Sequence, residues 1–132
     1  MPQQTPRNSP PPTDAELEVL RVLWKLGPST VREVHGDISQ AKPVGYTTVL
    51  KQMQVMQRKG LLRRSERFRA HVYEPREPQA HTQRQLTQSL LRRAFEGSAR
   101  GLLQSALAGR PVDAEELAEI RQLLNQLQRG SK

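Results

Sequence analysis

Cysteine is absent from this 132-residue sequence, and aromatic residues make up only 4% of it. Without cysteine there is no disulfide framework, no thiolate metal site and no cysteine nucleophile. So few aromatic side chains argue against the large core and deep pocket of a typical enzyme. No apolar run approaches the roughly 18 to 20 residues that a membrane-spanning helix needs, and the first residues lack the apolar stretch of a signal peptide. We therefore expect a soluble, cytoplasmic protein with no membrane insertion.

Positive charge, by contrast, is abundant and unevenly distributed. The net charge is +8, and residues 42–76 alone carry nine basic and two acidic side chains, which gives +7. Residues 1–41 contribute −1 and residues 77–132 contribute +2. A charge that only keeps a protein soluble would be spread along the chain, so the clustering favours a surface that binds a polyanion. The alternative is a basic face that is merely solvated.

The first half of the chain carries two clear helix starts. Residues 1–12 contain five prolines and no apolar residue beyond Met1, so they predict a disordered tail. Capping boxes follow at residues 13–16 and 30–33, where a threonine hydroxyl and a glutamate carboxylate satisfy each other's backbone amides. The first helix should end at Gly27, and the second near Gln40.

A third helix is predicted from about Tyr46 to Lys59, closed by Gly60 as its C-terminal cap. Its inner face is formed by Val49, Met53 and Met56. Beyond it, Leu61–Ser65 and Ala70–Glu74 are short segments that flank a charged turn at residues 66–69. These two segments predict a β-hairpin that Pro75 terminates.

From about Pro78 the sequence returns to helical spacing, first as far as Gly97 and then in a short second helix. A third capping box at residues 113–116 opens the last helix. Some 55 residues with one apolar stripe per helix bury little by themselves, so we expect a homodimer, with an intramolecular core as the alternative. The predicted dimer contacts are Leu86, Leu90, Phe95, Leu103, Leu107, Leu117, Ile120, Leu124 and Leu127.

Three helices followed by a basic hairpin form the order of a winged helix-turn-helix, in which the third helix enters the major groove. We therefore predict a mainly α fold with a small β-hairpin: a winged-helix DNA-binding domain at 13–76 and a helical dimerisation region at 77–132. On the third helix, Lys51 suits a guanine edge or a phosphate, Gln54 an adenine edge and Arg58 the backbone. The full predicted DNA-binding set is Tyr46, Thr47, Thr48, Lys51, Gln54, Arg58, Arg63, Arg64, Arg67 and Arg69.

Four stretches of the sequence resemble the BlaI/MecI/CopY family of penicillinase and methicillin-resistance repressors: residues 16–24, 46–49 (YTTV), 59–61 (KGL) and 69–73 (RAHVY). The resemblance covers roughly residues 13–129. It implies a dimeric winged-helix repressor on a dyad-symmetric DNA operator, with Thr47, Thr48 and Lys51 facing the bases. It also implies that a membrane-bound sensor protease relieves repression by cutting the C-terminal region.

The sequence departs from that family at two points, and it also lacks the feature of one branch. Val55 stands where members often have an arginine, which predicts a different contact there. The cleavage point aligns with Ser105 and Ala106, whereas the best-known members have asparagine before phenylalanine. The copper-responsive members carry C-terminal cysteine pairs, and this chain has none.

Neither a metal site nor an enzymatic centre is predicted. The three histidines, His35, His71 and His81, do not share a ligand spacing on one helix, and the acidic clusters fall in first turns, where the helix dipole favours them. No Gly-rich phosphate loop or nucleophile elbow is present, and we expect no cofactor. Two other functions stay open: a winged-helix module that binds a protein, and a non-specific DNA binder of the nucleoid type.

Overall fold

The computed structural model describes residues 10–130. Its elements, in chain order, are α1 (Asp14–Leu26), α2 (Val31–Ser39), α3 (Tyr46–Arg58), β1 (Leu62–Arg67), β2 (Ala70–Pro75), α4 (Gln79–Ala94), α5 (Ala99–Ala108) and α6 (Ala114–Gly130). Backbone contacts divide the chain into a first unit that ends at Ser89 and a second unit that begins at Leu90. Between residues 10 and 130, no helix combines the length and the apolar character that crossing a bilayer requires.

The last three residues of the predicted disordered tail belong to the part of the chain that the structure describes. Residues 1–9, most of the predicted disordered tail, lie outside the described residues. Pro12 is buried, and it lines a hollow together with Leu20 of α1 and Leu61 before β1. The last residues of the predicted tail therefore pack against the first unit.

Two predicted capping boxes begin α1 and α2. The Glu16 amide donates to the Thr13 hydroxyl at 3.2 Å, and the Thr13 amide donates to the Glu16 carboxylate at 2.9 Å. Thr30 and Glu33 make the same pair of bonds at 3.2 and 2.8 Å. Gly27, with a φ of 84°, ends α1 in a positive-φ conformation that glycine adopts without steric cost. The predicted starts of both helices are confirmed.

The first unit has one hydrophobic core, to which α1, α2, α3 and both strands contribute. Val34, Met53 and Met56 are fully buried, and Leu23 and Tyr73 are 1% exposed. The predicted inner face of α3 is confirmed, since its apolar residues at helical spacing all enter this core. The core thereby fixes which side of α3 points outward.

A two-residue turn makes the hairpin tighter than predicted. β1 pairs antiparallel with β2, with Leu62 opposite Pro75 and Arg67 opposite Ala70. The predicted turn at residues 66–69 was too long, because the ladder continues to Arg67. Only Phe68 and Arg69 join the strands, and their φ values of 53° and 68° are positive. Positive φ at both central positions is the type I′ geometry, whose twist matches that of the flanking strands.

A third segment of backbone pairs with the hairpin. The Ser29 amide donates to the Tyr73 carbonyl at 3.0 Å, and the Tyr73 amide donates to the Ser29 carbonyl at 2.8 Å. This bridge covers β2, which buries Val72 and Tyr73, whereas β1 is an outer strand that buries only Leu62. The weak alternation of β1 in the sequence follows from that edge position.

The second unit has no buried hydrophobic side chain between residues 90 and 130. Only half of the third capping box forms. The Glu116 amide donates to the Asp113 carboxylate at 2.7 Å, but the Glu116 carboxylate accepts from Arg110 at 2.9 Å and not from the Asp113 amide. The guanidinium is a stronger donor to a carboxylate than a neutral amide, which explains the exchange of partners.

One buried carboxylate joins the start of α1 to the end of α3. Glu16 is 4% exposed, and the Lys59 ammonium donates to it. Burial by itself raises the pKa of Glu16, but the hydrogen bond and charge of Lys59, together with the bonds from Thr13, outweigh burial. The pKa of Glu16 consequently lies below its ordinary value of 4.5.

We predict that Glu16→Gln lowers the free energy of unfolding by about 1 to 2 kcal/mol at neutral pH, because the charged hydrogen bond from Lys59 is lost, while the glutamine carbonyl can still accept from the Thr13 amide. A depressed carboxylate pKa stabilises the fold above the pKa of the unfolded chain. The difference between wild type and variant should therefore shrink as the pH falls through the folded pKa of Glu16. Urea unfolding across a pH series measures both effects.

Glu33→Gln is the matched control, because Glu33 occupies the same capping position on α2 with no ion pair among residues 10–130. It should cost less than Glu16→Gln. Equal losses for the two variants at neutral pH would contradict a stabilising role for Lys59.

Candidate nucleic-acid interface

The outward side of α3 carries the polar side chains that the sequence predicts to face a ligand. Val49, on the inner side, is buried, while Thr47, Lys51 and Arg58 on the opposite side are exposed. At 3.6 residues per turn these three positions form one stripe along the helix. The other side of this helix is buried in the core, so the stripe has one fixed direction within the first unit.

The first turn of α3 has no side-chain cap. Gly45 occupies the N-cap position and supplies no capping side chain, in contrast to the threonines that begin α1 and α2. The amides of this turn are therefore left to an outside acceptor. Thr47 and Thr48 are exposed beside them, and Tyr46 is 45% exposed. Amides, hydroxyls and the positive end of the helix dipole together suit a phosphate.

The two flanks of the stripe differ. Gln54 is half-buried and lines a cleft between α3 and β2, together with Tyr46 and His71. On the other flank Val55 is 37% exposed. Gln54 is thus less exposed than the other residues of the predicted stripe. The exposed apolar residue next to Lys51 is Val55.

The hairpin arginines are all exposed, but they do not share one face. Side chains alternate along a strand, so Arg63 and Arg67 point to one side of β1 and Arg64 to the other. Arg69 lies in the turn itself. Cationic groups are therefore presented on both faces and at the tip of the hairpin.

None of the six cations on α3 and the hairpin forms an ion pair within the described part of the chain. Nearby acids are few, because Glu66 and Glu74 are the only acidic residues between positions 42 and 76. A set of uncompensated cations on one unit attracts polyanions. The six are Lys51, Arg58, Arg63, Arg64, Arg67 and Arg69.

Three other lysines are used differently, since each is neutralised by an acid of α1 or α2. These pairs join elements of the first unit and remove Lys42 and Lys59 from the basic cluster that the sequence suggests. The pairs are Lys25 with Asp37 at 2.8 Å, Lys42 with Glu18 at 3.1 Å, and Lys59 with Glu16.

Sequence reasoning missed a histidine that shapes the turn before α3. The Nε2 atom of His35 donates to the Val44 carbonyl at 2.8 Å, with the Ser39 hydroxyl 3.0 Å from the same nitrogen. The imidazole also meets the Tyr46 ring edge-on, with ring centroids 5.7 Å apart. His35 thus positions the first residue of α3 from α2. Its spacing of nine residues from Val44 matches no sequence motif, so the contact could not be read beforehand.

The other histidines show no metal geometry. His71 lies 3.8 Å from the Glu66 carboxylate across the hairpin, and His81 is half-buried beside the hollow at Pro12. No group of three His, Asp or Glu side chains able to hold a metal ion comes together between residues 10 and 130.

The predicted dimer contacts divide by exposure and by unit. Leu86 is half-buried in the first unit. In the second unit Phe95, Leu103, Leu107 and Ile120 are half-buried. The more exposed residues are Leu90 at 39%, Leu117 at 40%, Leu124 at 49% and Leu127 at 63%.

The predicted processing position, Ser105 and Ala106, is exposed within α5. A protease needs extended backbone, so cutting there requires this helix to open locally.

Comparison with known proteins gives a consistent set of relatives. The family model for the penicillinase repressor matches residues 12–126. The chain is 26% identical over 114 residues to the penicillinase repressor of Bacillus licheniformis, covering 86% of this chain and 89% of that protein. It is 32% identical over 121 residues to the transcriptional regulator BlaI of Mycobacterium tuberculosis, covering 89% of this chain and 85% of that protein.

Among solved structures, one match is the solution structure of monomeric Bacillus licheniformis BlaI in complex with the blaP half-operator. It has a TM-score of 0.48 and 30% sequence identity, and it covers 54% of this chain and 87% of that chain.

We predict that His35→Ala loosens the start of α3 without unfolding the first unit. The Val44 carbonyl loses its donor and Tyr46 loses its edge contact, which should cost about 1 to 2 kcal/mol. Amide hydrogen exchange at residues 46–48 should accelerate. Ser39→Ala is the control, since Val44 keeps its donor there, and exchange as fast as in His35→Ala would count against the assigned role.

Proposed function

Because the chain belongs to the penicillinase repressor family, we propose that it represses transcription by binding double-stranded operator DNA through its winged helix. The observation that supports this most directly is the set of six unpaired cations on α3 and the hairpin. Two of them, Lys51 and Arg58, lie with Thr47 on the exposed stripe of a helix that is buried on its other side, and the other four are on the hairpin. Duplex DNA is the polyanion whose major groove admits such a helix.

The parts of the interface take distinct roles in this proposal. The uncapped amides and hydroxyls of the first turn bind phosphate and set the position of α3 in the groove. Lys51 reaches a guanine edge, and Gln54, on the flank toward the hairpin, reaches an adenine edge only if it turns out of its cleft. The hairpin arginines and Arg58 contact the backbone. Operator DNA lies in the bacterial cytoplasm, where we expect the protein to act.

We predict that Lys51→Ala weakens binding to the preferred duplex by about 1 to 3 kcal/mol and relaxes base preference. Arg67→Ala should lower affinity evenly across sequences and flatten the salt slope by about one unit, because it removes one phosphate contact. Fluorescence anisotropy over a salt series, with a duplex selected from a random pool by the wild-type protein and a scrambled duplex, separates the two effects.

Lys25→Ala is the control, since Lys25 is an exposed lysine already paired with Asp37 on another face. It should leave affinity unchanged. Equal wild-type affinity for both duplexes would indicate a non-specific DNA binder. No binding near physiological salt would favour a winged-helix module that binds an acidic protein.

We further propose that two copies associate through the second unit. The support is physical: residues 90–130 bury no hydrophobic side chain, yet α6 carries Leu117, Ile120, Leu124 and Leu127 at spacings of three, four and three residues. Such a stripe is stable in water when a partner helix covers it. A dimer would place two copies of α3 in major grooves about 34 to 36 Å or a multiple apart, on an operator of dyad symmetry.

Leu124→Glu should convert the dimer to a monomer, because it places a charge in the centre of the stripe. Multi-angle light scattering at several concentrations measures the mass. Gln126→Glu adds the same charge on the opposite side of α6 and should leave the dimer intact. A monomeric wild-type chain would remove the proposed dimer.

For relief of repression we propose proteolysis in the second unit, by a membrane-bound sensor protease. A cut between Ser105 and Ala106 would separate α6, with its leucine stripe, from the DNA-binding unit. Separate monomers would bind the two half-sites independently, without the gain in effective concentration that a dimer has. The affinity for the operator would therefore fall.

A further inference from the structure

The tip of the hairpin holds an aromatic side chain that no described part of the chain covers. Phe68 is 94% exposed, well above the 63% of Leu127, the next most exposed large hydrophobic residue. An apolar ring held in water contributes nothing to the stability of the fold. Among residues 10–130 nothing covers it, so only a binding partner could bury it.

The backbone at the same point is unfavourable for the residues that occupy it. Phe68 and Arg69 have φ values of 53° and 68°. A type I′ turn favours asparagine followed by glycine, because bulky side chains are crowded at positive φ. Asparagine at position 68 would improve both the turn and the surface. Neither folding nor solubility therefore explains phenylalanine here, and strain of this kind clusters where a residue has a binding role.

Positive charge surrounds the exposed ring. Arg67 and Arg69 flank Phe68, and neither has an ion pair within residues 10–130. The nearest acid in sequence, Glu66, faces His71 across the ladder, with 3.8 Å between carboxylate and imidazole. An apolar side chain between two guanidinium groups suits the minor groove of duplex DNA, which is narrow and has phosphates along both edges.

The hairpin is also held on the unit that carries α3. The paired backbones of Ser29 and Tyr73 join it to the turn between α1 and α2. A helix in the major groove and a hairpin fixed to the same unit bring the tip to an adjacent part of the same duplex.

We propose that Phe68 enters the operator minor groove and wedges against a base step, while Arg67 and Arg69 contact the phosphates on either side. The inference rests on the proposed function and adds a specificity determinant to it. An inserted apolar side chain unstacks a step partially, and pyrimidine–purine steps open most readily. The hairpin thus selects operators by the deformability of the DNA below its tip, at positions where no base edge is read.

The test compares Phe68→Asn and Phe68→Leu in the full chain, with the duplex selected by the wild-type protein. Phe68→Asn should weaken binding about tenfold, while its thermal midpoint stays equal to that of wild type or rises, because the turn is relieved. Phe68→Leu keeps an apolar wedge and should bind within about threefold of wild type. A merely structural role would lower stability and affinity together.

A second readout places 2-aminopurine at successive steps of the same duplex. Wild type should raise its fluorescence at one step, and Phe68→Asn should not. If wild type binds the duplex and Phe68→Asn binds equally well with the same fluorescence, the wedge is refuted and the repressor function stands. If selection from the random pool yields no duplex that the wild-type protein binds, both the wedge and the repressor function are refuted. If Phe68→Asn instead abolishes self-association measured without DNA, Phe68 is a protein contact and the wedge is refuted.

Discussion

The hydrophobic core fixes which side of α3 points outward, and the ion pair between Glu16 and Lys59 ties the end of that helix to the start of α1. The same carboxylate caps α1, so the start of one helix and the end of another meet at one buried group. Lys59 is followed within three residues by β1, and the Leu61 amide bonds back to the Met56 carbonyl at 2.9 Å. This ion pair therefore lies where the start of α1, the end of α3 and the approach to the hairpin meet.

Charge in the first unit serves two purposes that composition alone does not separate. Lys25, Lys42 and Lys59 are bound to acids of α1 and α2 and join elements of the first unit. The cations of α3 and the hairpin have no such partners between residues 10 and 130, and they keep their full attraction for a polyanion. The proposed DNA-binding surface is consequently smaller than the basic segment of the sequence. It is also confined to α3 and the hairpin, because Lys25, Lys42 and Lys59 are paired with acids.

The sequence predicts what depends on local chemistry. The capping threonines 13 and 30 satisfy amides three residues away, so both helix starts could be placed beforehand, and periodicity was enough to find the buried side of α3. Long-range backbone pairing leaves no such mark, and the bridge from Ser29 to Tyr73 could not be predicted. The turn was misjudged because Phe68 is an unusual type I′ residue. The role of each side chain toward DNA remains a prediction, since it depends on a partner that the chain does not encode.

The glycine that begins α3 has a consequence for how folding and recognition are linked. α1 and α2 complete their own first turns, but the N-cap of α3 is Gly45, and no capping side chain satisfies the amides of its first turn. An anion that arrives there acts as the missing cap. A bound anion would thus complete part of the helix, and the energy of completing it would go into binding instead of into the stability of the free protein. A capping serine at this position would stabilise the free protein and weaken the binding of an anion to the first turn of α3.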